Sequence, residues 1–257
     1  MKKLLFFFRK LFGVTKILNR ISSSNERVEL LLDKNYKMGL EILSALKFNS
    51  TINESEWFLY KNISPGESAI DYCFCYTLYR VLSSVRPENI LEFGLGQSSK
   101  MVHQFAHRYN HNAITVEHDK DWYNFFKLDL ADKYPINVQL LDLEEILYKG
   151  QKAISYKNCH TIFSGEKYDL IIVDGPFGYS PDTVYSRPQI IELVTDCLAD
   201  NFVIIMDDYN RKGEQNTIKE VLDYFDHVNI PYVKRVYSAS KQHILITTPK
   251  LKFLTTL

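Results

Sequence analysis

Five short apolar runs, each ending in a carboxylate, limit what this chain can fold into more than any other feature. They are Asn89-Ile90-Leu91-Glu92, Ile114-Thr115-Val116-Glu117, Val138-Gln139-Leu140-Leu141-Asp142, Tyr168 to Asp174, and Phe202 to Asp208. The fourth, Tyr168-Asp169-Leu170-Ile171-Ile172-Val173-Asp174, is nearly continuous in apolar residues. That pattern belongs to a strand buried on both faces of a parallel sheet, whereas a half-exposed strand alternates. Helical patterns flank the runs, Ile70 to Ser83 before the first and Glu214 to Phe225 after the fifth. An α/β sheet with helices on both faces is the expectation.

The first run leads into Phe93-Gly94-Leu95-Gly96-Gln97-Ser98-Ser99 and then Lys100 to Ala106, which reads as a helix. Two glycines allow positive φ and close approach of a ligand to the backbone, and Ser98 and Ser99 can cap the helix. This is a strand–turn–helix site for a nucleoside-bearing cofactor. Ser99 stands where the third glycine of a dinucleotide fingerprint would be, which argues against a pyrophosphate. Glu117 follows Glu92 by 25 residues, one βαβ step, and can meet a ribose diol. Ligands of open α/β sheets bind beyond the carboxyl ends of the strands. Glu92, Glu117, Asp142, Asp174, Asp207 and Asp208 are therefore expected to share one crevice.

From residue 66 to about 250 the order of these motifs resembles the class I S-adenosylmethionine-dependent methyltransferases. The resemblance implies a Rossmann-like, seven-stranded, mostly parallel sheet with an antiparallel final strand, the pair Val233–Tyr237 and His243–Thr247 forming its edge hairpin. It also implies that Glu92, Gly94 and Gly96 face the methionine part of S-adenosylmethionine, Glu117 the ribose and Asp142 or a neighbour the adenine amine, with Ser98 and Asp174 completing the set. Within that class, Phe93-Gly94-Leu95-Gly96, Trp122, the Asp174-Gly175-Pro176-Phe177-Gly178-Tyr179 run, Arg187 and Asp207-Asp208-Tyr209-Asn210-Arg211 resemble the glucuronoxylan 4-O-methyltransferases. A glycan or glycolipid hydroxyl is then the implied acceptor, held by Tyr179, Arg187 and Arg211. Where that family carries Pro-Gly-Arg-Met, this chain has Tyr185-Ser186-Arg187-Pro188.

Three carboxylates from Asp174, Asp207 and Asp208 cannot gather uncompensated, because like charges a few ångströms apart cost several kcal/mol. Two solutions stay open. A hard divalent ion, Mg2+ or Mn2+, can bind them and acidify a substrate hydroxyl, or Arg187 and Arg211 can neutralise them. The acids also resemble the metal site of catechol-type O-methyltransferases, although Asp208 replaces their asparagine and Phe177 falls where they carry a base lysine. Asp174 and Asp207 are candidate catalytic acids, and His118, Tyr179, Tyr209 and His243 are candidate proton acceptors. A small phenolic acceptor, or a module without catalysis, are the other readings.

The chain of 257 residues has 31 basic and 31 acidic side chains, so it carries no nucleic-acid signature. Residues 1–65 read as a basic, helical extension before a domain spanning 66–257. Lys2, Lys3, Arg9, Lys10, Lys16 and Arg20 face no acid within residues 1–20, and Leu4, Phe8, Leu11, Leu18 and Ile21 share a helical face. That segment is expected to lie on an anionic membrane or to dock on protein. Asn19 to Asn25 reads as a polar hinge, followed by a helix, Glu26 to Leu46, with Val28, Leu31, Met38, Ile42 and Ala45 on one buried side. Cys73, Cys75, Cys159 and Cys197 read as free thiols of a cytoplasmic protein, at the inner face of the membrane if the leader binds lipid.

Overall fold

The structure, a computed structural model, describes residues 2–11, 13–66, 69–130, 133–177 and 183–257. Tyr179 lies outside the described residues. Along the chain run helices α1 (Lys2–Leu11), α2 (Val14–Ile52) and α3 (Tyr72–Val85), strand β1 (Asn89–Phe93), α4 (Gln97–Tyr109), β2 (Asn112–Glu117) and α5 (Lys120–Leu130). There follow β3 (Val138–Leu140), β4 (Leu143–Tyr148), β5 (Gln151–Tyr156), α6 (Cys159–Phe163) and β6 (Tyr168–Val173). The chain closes with α7 (Gln189–Leu193), β7 (Leu198–Met206), α8 (Lys212–Val228), β8 (Val233–Ser238), β9 (Gln242–Thr247) and a 3-10 helix, Pro249–Thr255.

The strands with continuous apolar runs sit in the middle of a seven-stranded sheet ordered β3-β2-β1-β6-β7-β9-β8. All neighbours pair in parallel except β9, which is antiparallel to both β7 and β8. The sheet is the Rossmann-like one expected, including its antiparallel final strand. In-register pairs align Leu91 with Ile171, Ile171 with Ile204 and Ile204 with Ile246 across four strands. Alternate residues feed two cores. Ile90, Ile172 and Ile205 pack with Phe74, Leu78 and Phe105 of α3 and α4. Phe93, Ile171 and Ile204 pack with Ile190, Ile218 and Phe225 of α7 and α8 on the other face. Strand order reverses between β1 and β6, and such a reversal opens a crevice at the carboxyl ends.

Two elements were not anticipated from the sequence. The antiparallel hairpin β4–β5 turns at Lys149-Gly150, both at positive φ, as a two-residue turn of matching twist requires. The polar hinge expected at Asn19–Asn25 is replaced by uninterrupted helix, because Ser and Asn cost a helix only tenths of a kcal/mol each. The buried side expected for the following helix is also corrected: Val28 is 51% exposed, Leu31 60%, Met38 52% and Ile42 56%. Only the end of α2 enters the core, through Phe48 and Ile52, which join Trp57, Phe58 and Tyr79. Leu4, Phe6, Phe7 and Phe8 of α1 are exposed. Among the described residues no helix is long and apolar enough to cross a membrane.

Candidate cofactor and acceptor site

The crevice at the β1–β6 reversal holds a cavity of about 300 Å³. Its floor is the loop after β1. Gly94 has φ +96°, and a Cβ there would lie 2.7 Å from the Asp174 carbonyl oxygen, so only glycine lets β1 and β6 end this close together. A Cβ at Gly96 would meet nothing within 4 Å, which leaves the turn open to a ligand. Gly96 is the cap of α4, and its N–H donates to Ser99 Oγ at 3.0 Å.

Glu117 closes one wall at the end of β2. Its Oε2 accepts the Leu95 N–H at 3.0 Å, and its Oε1 accepts the N–H groups of His118 and Asp119 at 2.6 and 2.8 Å. A carboxylate offers about four acceptor positions, so one remains to meet a hydroxyl from the cavity. Trp122 donates its indole N–H to the Leu95 carbonyl at 2.7 Å and turns its ring along the same wall. His118 stands beside it with Nδ1 2.9 Å from Glu117 Oε1.

The opposite wall is charged. Arg187 Nη2 donates to Asp208 Oδ2 at 2.7 Å and to Asp174 Oδ1 at 3.2 Å, while Nη1 donates to the carbonyls of Asp207 and Val173 at 3.0 and 3.3 Å. Arg211 Nη1 lies 2.9 Å from Asp208 Oδ2, and Lys241 Nζ lies 3.7 Å from Asp207 Oδ2. Arg187 and Asp208 both hold positive φ, 56° and 58°. Such non-glycine residues carry about 1–3 kcal/mol of strain that the surrounding contacts must offset. Burial pushes the Asp207 carboxyl well above its ordinary range, and Asp174 and Asp208 beside it push the same way. Neither Asp207 carboxyl oxygen finds a hydrogen bond among the described residues. Of the three acids, Asp207 is the one whose charge is least compensated by hydrogen bonds. The Asp174 carboxyl is also raised, by burial first, against the opposing pull of Arg187.

One oxygen from each of Asp174, Asp207 and Asp208 lies within 4.8 Å of the others, the spacing a divalent ion would need. The arginine already occupies that role, since one of its amino groups contacts two of the three carboxylates and the third lies in a wholly buried side chain. The guanidinium thus supplies the positive charge that the gathered acids require. EDTA is accordingly expected to leave turnover unchanged; a loss restored by Mg2+ would show that the guanidinium yields to metal.

The structure gathers Gly94, Gly96, Glu117, His118, Asp174, Arg187, Asp208 and Arg211 around one cavity. Other expected members lie elsewhere. Glu92 is wholly buried beneath the turn, accepting from Thr115 Oγ1 at 2.6 Å, because it lies level with Thr115, one pleat deeper in the sheet than Glu117. Ser98 is buried with it and Ser99 takes the capping contact instead. Asp142 is exposed at the end of β3, outside the cavity lining. Asp207 sits under the charged wall rather than in it. The αL turn at Asp208 carries Tyr209 away, its N–H bonded to the Gln242 carbonyl and its ring packed on the core. His243 is buried 3.0 Å from Thr77 Oγ1, where desolvation lowers its pKa to about 4, and it cannot serve as the site's base.

Tyr156 was missed from the sequence. It ends β5, is 1% exposed, and its hydroxyl has no hydrogen-bond partner among the described residues while the ring lines the cavity. The available signal was Lys149-Gly150, a glycine-containing pair suited to a tight turn between two short strands.

No protein-family model matches the chain, and no curated protein matches it. Among solved structures it is similar to the SAH-bound methyltransferase PaMTH1 of Podospora anserina, with 12% identity over 87% of this chain and 94% of that one and a TM-score of 0.45. It is similar also to the O-methyltransferase from Bacillus cereus in complex with SAH, at 14% identity, 81% and 90% coverage and a TM-score of 0.44. Spermidine synthase in complex with the transition-state analogue AdoDATO shares 13% identity over 66% of this chain and 60% of that one, with a TM-score of 0.41. What the chain's own architecture defines is an α/β protein with a Rossmann-like sheet and a crevice at its strand reversal.

Proposed function

We propose that the chain is an S-adenosylmethionine-dependent O-methyltransferase whose acceptor is a sugar hydroxyl of a glycan or glycolipid. The observation that carries the cofactor is the placement of Glu117. A carboxylate pinned by three backbone N–H groups faces a cavity of about 300 Å³ across the Gly94-Leu95-Gly96 turn. That wall suits free ribose hydroxyls and repels phosphate. Arg187 and Arg211, which line the far side, are already engaged by carboxylates. Trp122 supplies a flat apolar surface for a base. The sugar acceptor rests on the likeness of the Phe93–Gly96, Asp174–Pro176, Arg187 and Asp207–Arg211 segments to glucuronoxylan 4-O-methyltransferases.

A bound sulfonium supplies an activated methyl group, so the protein's share is alignment and proton removal. Alignment alone is worth roughly 7–11 kcal/mol. Asp174 lines the cavity with Glu117 and Arg187, and burial raises its carboxyl pKa against the pull of Arg187, the direction that favours a general base. It takes the acceptor hydroxyl's proton as the C–O bond forms and the C–S bond breaks. Arg187 holds the carboxylate in place throughout.

Calorimetry tests the cofactor. S-adenosylhomocysteine is expected to bind the wild-type chain, and Glu117→Ala to weaken it by about 10–150-fold, the equivalent of roughly 1.5–3 kcal/mol for a lost charged hydrogen bond. An unchanged dissociation constant would remove Glu117 from the site. Transfer of labelled methyl to uronic-acid oligosaccharides, set against catechol, tests the acceptor; transfer to catechol alone favours the small phenolic substrate.

A further inference from the structure

The exposed half of α2 presents a regular heptad. Counting Val14 as position a, the a row is Val14, Ile21, Val28, Asn35 and Ile42, and the d row is Ile17, Ser24, Leu31 and Met38. Seven of these nine side chains are apolar, and each of the seven is between 37% and 60% exposed. A helix in water draws most of its stability from covering an apolar face. Among the described residues nothing of the domain covers this one before about residue 40. The a row is β-branched apart from Asn35, which suits two parallel strands where the d row brings Leu31, and a single asparagine at a fixes their register by pairing with its own copy.

We infer that a second copy of this chain covers the stripe, as a parallel two-stranded coiled coil along residues 14–42 with Asn35 facing Asn35. Charge separates this occupant from the others. Residues 14–42 hold five basic side chains (Lys16, Arg20, Arg27, Lys34, Lys37) against four acidic ones (Glu26, Glu29, Asp33, Glu41), so this stretch is nearly neutral and lacks the large excess that draws a helix to anionic lipid. The flanking g row carries Arg20, Arg27, Lys34 and, at its end, Glu41, so three of its four members are basic. An antiparallel pair would set that row against itself. The parallel pair sets it against Asn25, Leu32 and Gly39 of the e row, with no like charges opposed.

Light scattering after gel filtration of the full chain, at tens of micromolar, is expected to give twice the 30.1 kDa chain mass. Val28→Lys with Leu31→Lys should return it to one chain mass with an unchanged thermal transition of the domain, since both side chains are exposed. Asn35→Cys should form a disulfide-linked dimer under mild oxidation. The unsubstituted chain, whose cysteines are buried or half-buried, should not. A wild-type monomer overturns the proposal, including one that gathers only on phospholipid vesicles. So does a dimer indifferent to the two lysines. A dimer that resists cross-linking through position 35 overturns the parallel register.

Discussion

Arg187→Ala is expected to destabilise the domain by about 3–5 kcal/mol, the range for removing one partner of a buried ion pair, and to abolish methyl transfer. Arg187 is 3% exposed and joins Asp174, Asp208 and the carbonyls of Val173 and Asp207 through its two terminal nitrogens. Taking it away leaves buried carboxylates facing one another, and two carbonyl oxygens lose a donor. Lysine cannot substitute, having one nitrogen where four bonds diverge from a planar fork. The loss should shrink at low pH, because protonating the acids removes the repulsion that the arginine offsets. Urea unfolding at pH 8 and pH 5 measures both effects. A change below about 1 kcal/mol would mean that Lys241 and Arg211 neutralise the cluster without Arg187.

Glu92→Gln is expected to do the opposite and stabilise the protein by about 3 kcal/mol at pH 8. Burial raises the Glu92 carboxyl from 4.5 to about 7, against the hydrogen bonds of Ser98, Thr115 and Ser99, which favour the ionised form. Between those pH values the native chain holds a proton that the unfolded chain has released. Stability therefore falls as pH rises through that window, at about 1.4 kcal/mol per pH unit. A glutamine keeps an acceptor for Thr115 Oγ1 and never ionises. The melting temperature of Glu92→Gln should exceed wild type by roughly 6–12 °C at pH 8, with the gap closing by pH 5. Parallel melting curves across that range would place the titration elsewhere.

The same residue shows where sequence reading stops. The core strands could be read because a run such as Leu170-Ile171-Ile172-Val173 is apolar on both faces, and few other contexts tolerate that. Glu92 and Glu117 share one face of the sheet, since Glu92 lies level with Thr115 and Glu117 is two residues further on; Glu117, ending its strand, reaches the crevice, while Glu92, one pleat deeper, is covered. Hairpin β4–β5 escaped notice because its burial alternates weakly over six residues per strand. Tyr156 was lost with it. The partnership of Arg187 with acids 13 and 21 residues away, and of Lys241 with Asp207, is set by the fold and leaves no local mark. Asn19–Asn25 misled for another reason: serines read as a break, yet no glycine or proline interrupts α2 before Gly39.

The 39 residues of α2 also set a distance. At 1.5 Å per residue its exposed stretch, about 26 residues, is a rod of roughly 39 Å. A flexible tether of equal length would wander around a root-mean-square span of about 25–31 Å and visit every orientation. A rod permits one separation and a narrow cone of angles. Whatever captures residues 2–11 would thus hold the cavity at a fixed height above it, and acceptor hydroxyls presented at that height would be reached while those close to the anchoring surface would not.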